Sequence, residues 1–486
     1  MHLTLAKVLS KHVNPLKKTK MICTIGPSSD NIDIISQHLK NGMNVCRINF
    51  SHDDHEIHGK KLQRIREAFI KNPLYSDCAI MLDTKGPEIR TGLLETPKIS
   101  LKTGDIITVT TDYTVKGNNQ KISMSYEGLF RSVTVGSKIL IADGNLSLTV
   151  LEMDPKQKEL KARVENDFLL GEKKNVNLPG AKIDIPTLGE KDAHDIINFG
   201  IKNDVDMIAL SFTRTANCIY QCKELLGQKG SHIKIIPKIE NYEGLENLEE
   251  ILKASDGVMV ARGDLGMELE PAKVFVAQKY ITQVARSLRK PAIIATQMLE
   301  SMTKNSRPTR AEITDVGNSV FDLNDCVMLS GETGNGIFPL ESSKTMTEIC
   351  KEGELNFDYY EYFQKARHHA QNMIEALGIA AVKLSFSAES NVILCLSNDD
   401  ALVKYLSFLR PNAFIIYPHS DKKLLKSLQL YFGVVTVNVE ESDFQNKQKL
   451  IQKCIERVND FKLMQFSKAI IVADGNNDEL QIVKNE

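Results

Sequence analysis

Along this chain, short aliphatic and β-branched runs recur, each closing on small or charged residues and passing into a segment of helical period. They are KMICTIG (20–26), NVCRINF (44–50), CAIMLDTKG (78–86), MIALSF (207–212), IKIIPKIE (233–240), GVMVARGDLG (257–266), PAIIATQMLE (291–300) and CVMLSGET (326–333). Strand and helix alternating eight times predict an α/β fold built on a closed parallel (β/α)8 barrel, with the polar residue after each strand gathered at one mouth.

The spacing breaks once, between the third and fourth runs, where about 120 residues intervene. There LSLTVLEM and KELKARVEN alternate with period two around Asp154-Pro155, and glycine-containing turns punctuate the rest. An inserted all-β domain, a small β-barrel over residues 86–186, is expected to stand over the mouth as a lid. The barrel itself is expected at 19–85 and 187–355, after an N-terminal helical segment at 1–18. From 356 to 486 the runs NVILCLS, AFIIYP, GVVTVNV and KAIIVAD predict a C-terminal domain with an open α/β sheet.

Composition narrows the function. The 486 residues are 42% hydrophobic and 25% charged, with a formal net charge of -1. That balance suits an enzyme and gives no electrostatic reason to expect nucleic acid. No apolar run reaches membrane-spanning length, so no membrane partner is expected. Nine scattered cysteines, without a two-residue spacing, point to a reducing, cytoplasmic setting. Lys7, Lys11, Lys17, Lys18 and Lys20 precede the first acid, Asp30, a bias read as an ordinary helix in preference to a targeting peptide.

The chemistry concentrates in residues 236–266. Lys238, Glu240 and Asp264 each sit just past an apolar run, so two carboxylates and an amine should meet at neighbouring strand ends. Such a group holds a divalent cation beside a fixed positive charge, the pairing that phosphoryl transfer needs. Hard carboxylate oxygens suit Mg²⁺. Each acid alone reads as a helix cap; their joint placement favours the metal. No GxxxxGK[ST] loop exists, so phosphates must be held by side chains and metals. His52, His55 and His58 imitate a zinc motif, but Ser51, Asp53 and Asp54 around them read as the start of a helix.

The strings KMICTIGPSS, NGMNVCRINFSH, MLDTKGPEIRTG, KKNVNLPG, PKIEN, ASDGVMVARGDLGMEL, ATQMLESM, RPTRAEITDV and MLSGET occur in an order that resembles the pyruvate kinase family over nearly the whole chain. The resemblance implies transfer of the phosphoryl group of phosphoenolpyruvate to ADP, giving pyruvate and ATP in the last step of glycolysis, by a cytoplasmic homotetramer. It implies Mg²⁺ (or Mn²⁺) on Glu240 and Asp264, with Gly263 and Asp264 opening a helix whose amides hold the substrate carboxylate. Lys238, Arg47 and Thr296 become the catalytic and substrate-binding residues: Lys238 stabilises the transferring phosphoryl group, Arg47 grips the phosphate and Thr296 binds substrate. Asn49, Ser51, Asp83 and Thr84 become K⁺ ligands, and Glu88 matches the K⁺-requiring form. The turn Asn49, Phe50, Ser51 and His52, with Arg90 and Lys174, becomes the nucleotide site. The physics agrees, because two unit charges at ~4 Å repel by ~4 kcal/mol at an effective dielectric of about 20. Two polyanions therefore need fixed cations before they can react.

One region departs from the family. Members regulated by fructose bisphosphate carry a Thr-Lys-Ser-Gly-Arg-Ser-like loop where this chain has Ser397-Asn398-Asp399-Asp400, and their later tryptophan-containing loop has no counterpart. Two acids there repel a phosphate, so activation by fructose 1,6-bisphosphate is not expected. The competing readings are a Mg²⁺-dependent phosphoenolpyruvate/pyruvate lyase, which needs no ADP, and a catalytically silent regulator, which should lack a ligand. None of Arg47, Asn49, Asp83, Lys238, Glu240, Asp264 and Thr296 is missing.

Overall fold

In the computed structural model, residues 5–9, 16–463, 468–473 and 479–484 are described. Eight parallel strands close into a barrel: β1 (Lys20–Thr24), β2 (Val45–Asn49), β3 (Ala79–Asp83), β4 (Met207–Leu210), β5 (Lys234–Ile239), β6 (Val258–Ala261), β7 (Ala292–Ala295) and β8 (Cys326–Leu329). Each expected run supplies one strand. β1 closes the ring against β8 through the register Lys20 to Cys326 and Cys23 to Leu329.

These strands are apolar on both faces because both faces are covered. In β1, Ile22 points into the barrel beside Val45, Met81, Ile236 and Met328, whereas Met21 and Cys23 face the surrounding helices. The period of two sorts the side chains between two cores. The closed end of the barrel is plugged from the C-terminal region by Leu430, whose carbonyl accepts from the Cys326 thiol at 3.3 Å.

Residues 89–177 hold a seven-stranded sheet and a two-stranded ribbon of Lys98–Leu101 with Phe168–Gly171. Leu146–Asp154 and Glu159–Val164 form its central hairpin, and their buried side chains alternate with exposed ones. The two outer strands of this sheet, Ile89–Arg90 and Lys121–Ser123, are joined just past their ends by an antiparallel bridge of Thr91 with Met124. Across that bridge the Gly92 amide donates to the Ser123 carbonyl at 2.9 Å and the Ser125 amide donates to the Arg90 carbonyl at 3.0 Å. Gly86 lies where the chain leaves the barrel, with φ of +70°, and a Cβ there would meet the Phe212 ring at 2.7 Å. Only glycine fits both restraints.

The C-terminal sheet orders its strands as Val434–Asn438, Phe414–His419, Val392–Leu396, Lys468–Ala473 and Glu479–Lys484. The last runs antiparallel to its neighbour. Asp474, at the end of the expected run, and the rest of 474–478 lie outside the described residues, as do 1–4 and 10–15 of the expected N-terminal helical segment. Leu5–Val8 is helical. Three of the N-terminal lysines have structural partners: Lys17 Nζ donates to the Gly42 carbonyl at 2.7 Å, Lys20 Nζ donates to the Val434 carbonyl at 2.5 Å, and Lys18 lies over the Tyr359 and Phe414 rings.

Candidate active site

The ends of β2, β3, β4 and β5 build a charged floor at one mouth of the barrel. Arg47 in β2 donates through Nε to Asp83 Oδ2 at 2.6 Å and through a terminal nitrogen to Thr24 Oγ1 at 2.8 Å. Asp83 ends β3 and presents Oδ1 to Lys238 Nζ at 3.1 Å. Lys238 also donates to Ser211 Oγ at 2.8 Å and lies 3.1 Å from Glu240 Oε1. The other oxygen of Glu240 accepts the Phe212 amide at 2.6 Å.

Burial makes each of these charges depend on its neighbours. It would strip the proton from Lys238, but Asp83 and Glu240 outweigh it and hold the ammonium more firmly protonated than usual. It would likewise protonate Asp83, yet Arg47 and Lys238 keep that carboxyl below its ordinary range. Asp264 differs: burial and the nearby Glu240 push its carboxyl up to about 7, against a smaller opposing pull from Lys238 and from a hydrogen bond with Asn177. Three carboxylates, Asp83, Glu240 and Asp264, thus face two permanent cations, Arg47 and Lys238. A divalent ion on Glu240 and Asp264 fits that imbalance and the hard oxygen donors.

The opposite wall comes from β6 and β7. Asp264 lies in the first turn of the helix Arg262–Glu268, straight after β6, and Thr296 follows β7. Thr296 has φ of +74° and Gln297 φ of +57°. A β-branched residue in that region is strained, and an anchor must hold it there. Arg262 is that anchor, donating to the Thr296 carbonyl at 2.7 Å while Asp315 accepts from its guanidinium at 2.8 Å. Gly263 lets the two segments approach, since a Cβ on it would meet Thr296 Cγ2 at 3.2 Å.

A cavity of about 520 Å³ opens on this floor, and a second of about 900 Å³ continues from it beneath the inserted sheet. Arg47, Asn49, Ser51, His52, Glu88, Lys238, Glu240, Asp264 and Thr296 line the first. His52, Glu88, Arg90, Lys174, Asn177 and Asp264 are among those lining the second. Arg90 is tied to Glu88 at 2.9 Å and to the Lys173 carbonyl at 2.9 Å. Four expected residues stand behind the walls. Asp83 and Thr84 are buried, Gly263 lies under Thr296, and the Phe50 ring stacks on His58 with centroids 4.1 Å apart. The Thr84 hydroxyl accepts the Ser211 amide, which leaves its carbonyl as the oxygen turned to Ser211 Oγ at 2.6 Å.

Several contributors escaped the sequence reading. Ser211 joins Lys238 to the Asp83 region, Arg262 holds Thr296, and Asn177 with the Gly180 amide ties the insert to Glu268 and Asp264. Ser211 follows β4 directly, so the strand-end rule that selected Glu240 could have selected it. The three histidines do not converge. His58 Nε2 donates to the His52 carbonyl at 2.9 Å, and His55 turns away to Asp195.

Residues 16–343 match the family model for the pyruvate kinase barrel domain. The chain belongs to the pyruvate kinase family. The pyruvate kinase of Eimeria tenella is 45% identical over 467 residues, covering 95% of this chain and 87% of that protein. A probable cytosolic pyruvate kinase isozyme of Arabidopsis thaliana is 45% identical over 403 residues, 82% of this chain and 81% of that one. A crystal structure of a pyruvate kinase from Cryptosporidium parvum superposes with a TM-score of 0.93 at 40% identity, covering 99% of this chain and all of the other. The chain is an enzyme of this family, and no helix among its described residues is long and apolar enough to cross a membrane.

Proposed function

We propose that this chain moves the phosphoryl group of phosphoenolpyruvate to ADP, with Lys238 as the central charge. What carries the reading is the excess of one carboxylate over fixed cations at the barrel mouth, with Lys238 Nζ held between Asp83 and Glu240. Arg47, pinned by Asp83 and Thr24, presents its remaining N–H groups to a substrate phosphate. Lys238 faces the transferring group, where a preorganised ammonium lowers the transition state more than the ground state. Thr296, fixed by Arg262, faces the enolate carbon. The nucleotide spans the two cavities, from the Asn49–His52 turn on the smaller to Arg90 and Lys174 on the larger, and the insert at 86–186 acts as a lid through Asn177 and Gly180. Closure would exclude water and limit hydrolysis.

Glu240 and Asp264 would hold Mg²⁺ or Mn²⁺, which supplies charge neutralisation at the phosphoryl oxygens. Asn49, Ser51, Asp83 and the Thr84 carbonyl offer neutral oxygens with a single carboxylate, a donor set suited to K⁺.

Insensitivity to fructose 1,6-bisphosphate is supported by the loop after Val392–Leu396. There Ser397 and Asp399 satisfy each other, Asp399 caps the next helix through the Ala401 amide, and Asp400 pairs with Lys404. A homotetramer and a cytoplasmic setting complete the reading, the first supported by exposed Tyr360 and Met373 in the helical region at 350–385.

A lactate-dehydrogenase-coupled assay with Mg²⁺, K⁺, phosphoenolpyruvate and ADP tests the proposal. NADH should be consumed only when both substrates are present. No consumption would overturn it, and pyruvate release without ADP would favour a lyase.

A further inference from the structure

One cluster of donor atoms lies outside both cavities. His55 opens the helix His55–Lys71, and His194 and Asp195 close the helix Glu190–Asp195. His55 Nε2 stands 2.8 Å from Asp195 Oδ1, and the imidazoles of His55 and His194 stack with centroids 4.8 Å apart. One ligand atom from each of the three residues falls within 4.8 Å of the others. Asp195 is 2% exposed, whereas His194 is open to solvent.

We propose that His55, His194 and Asp195 bind a divalent transition-metal cation of the Zn²⁺ type, at a site separate from Glu240 and Asp264. Two imidazoles and one carboxylate are a borderline donor set, preferred by Zn²⁺ over the harder Mg²⁺. The His55 and Asp195 atoms, hydrogen-bonded at 2.8 Å, need separate only to the ~3.3 Å between neighbouring ligands of a tetrahedral metal with bonds of about 2 Å. His194 completes the set by a side-chain rotation, and solvent leaves that rotation free. A water fills the fourth position of a tetrahedral site. Lys191 Nζ holds the second oxygen of Asp195 at 2.5 Å, so the carboxylate would bind through Oδ1 alone. That ammonium opposes a cation electrostatically, which further disfavours ions that form weak bonds to nitrogen. Lys191 also donates to the Phe50 carbonyl at 2.9 Å, so the site adjoins the turn that carries Ser51 and His52 into the barrel mouth.

Calorimetric titration of the full chain with Zn²⁺, in millimolar Mg²⁺ and K⁺ to saturate the hard-donor sites, tests the assignment. One Zn²⁺ per chain should bind, and His194→Ala should weaken that binding at least about tenfold, as expected for loss of a metal contact. Because His194 is solvent-exposed, the variant should unfold at the wild-type temperature in the absence of Zn²⁺; should it not, His194→Gln replaces it. Undetectable Zn²⁺ binding by the wild-type chain, or equal binding by the exposed-histidine variant, would overturn the proposal.

Discussion

The barrel and the C-terminal sheet are made from the same alternation of parallel strand and helix, yet their strand ends have opposite characters. At the barrel mouth, Arg47, Asp83, Lys238, Glu240 and Asp264 crowd together and leave acid in excess of base. Beyond the C-terminal strands the polar groups are settled locally. Asp399 caps its own helix, His419 Nδ1 accepts the Asp421 amide at 2.9 Å, and Ser420 donates to Glu441. Closure accounts for the difference. A ring of eight strands points all its ends at one axis, whereas an open sheet spreads them along an edge, where each loop satisfies itself. Charges left unbalanced by convergence are the ones available to a ligand.

Lys238→Met should break the contrast most severely. Removing the central cation should lower kcat on the order of 10³-fold, comparable to deletion of a preorganised charge in other sites. Steady-state kinetics at saturating substrate would check it, with circular dichroism confirming the fold; an almost fully active variant would remove Lys238 from the chemistry. Replacing K⁺ by tetramethylammonium should cost at least about tenfold in turnover, equivalent to about 1.4 kcal/mol of barrier. Undiminished turnover in K⁺-free buffer would count against the Asn49, Ser51, Asp83 and Thr84 set.

A subtler change asks whether the opposite wall is positioned as tightly as the floor. Arg262→Lys keeps the charge but loses the planar fork that reaches both the Thr296 carbonyl and Asp315. With the Thr296 turn relaxed, kcat should fall roughly tenfold while the half-saturation for Mg²⁺ changes little. An unchanged kcat would show that the strained turn needs no such anchor. At the other end of the scale, fructose 1,6-bisphosphate should leave the phosphoenolpyruvate saturation curve where it is. A saturable leftward shift would mean that the Ser397–Asp400 loop is less self-contained than its hydrogen bonds imply.

Much of the candidate site was legible because a strand-end rule needs only local information. Lys238, Glu240, Asp264 and Thr296 each follow an apolar run, and each run became a barrel strand. Phe50 marks the limit of that rule. It lies in the same turn as Ser51 and His52, but alternation turns its ring inward onto His58. Arg262 reads as one more charge in ARGDLG until Thr296, 34 residues later, is brought beneath it with a positive φ. The insert shows the same limit at the scale of a domain. Period-two alternation marks its strands, but the bridge of Thr91 with Met124 that joins the outer pair depends on curvature that no single run encodes.

By itself, the order of residues determined which segments become strands and which donor types stand at their ends, because backbone periodicity and side-chain chemistry are properties of short stretches. Only the folded chain decided where carboxylates outnumber cations, which arginine is pinned at the barrel mouth and which one holds a turn. Electrostatic and packing energies depend on separation in space, and the closing of the barrel brings together residues that the sequence keeps more than a hundred positions apart.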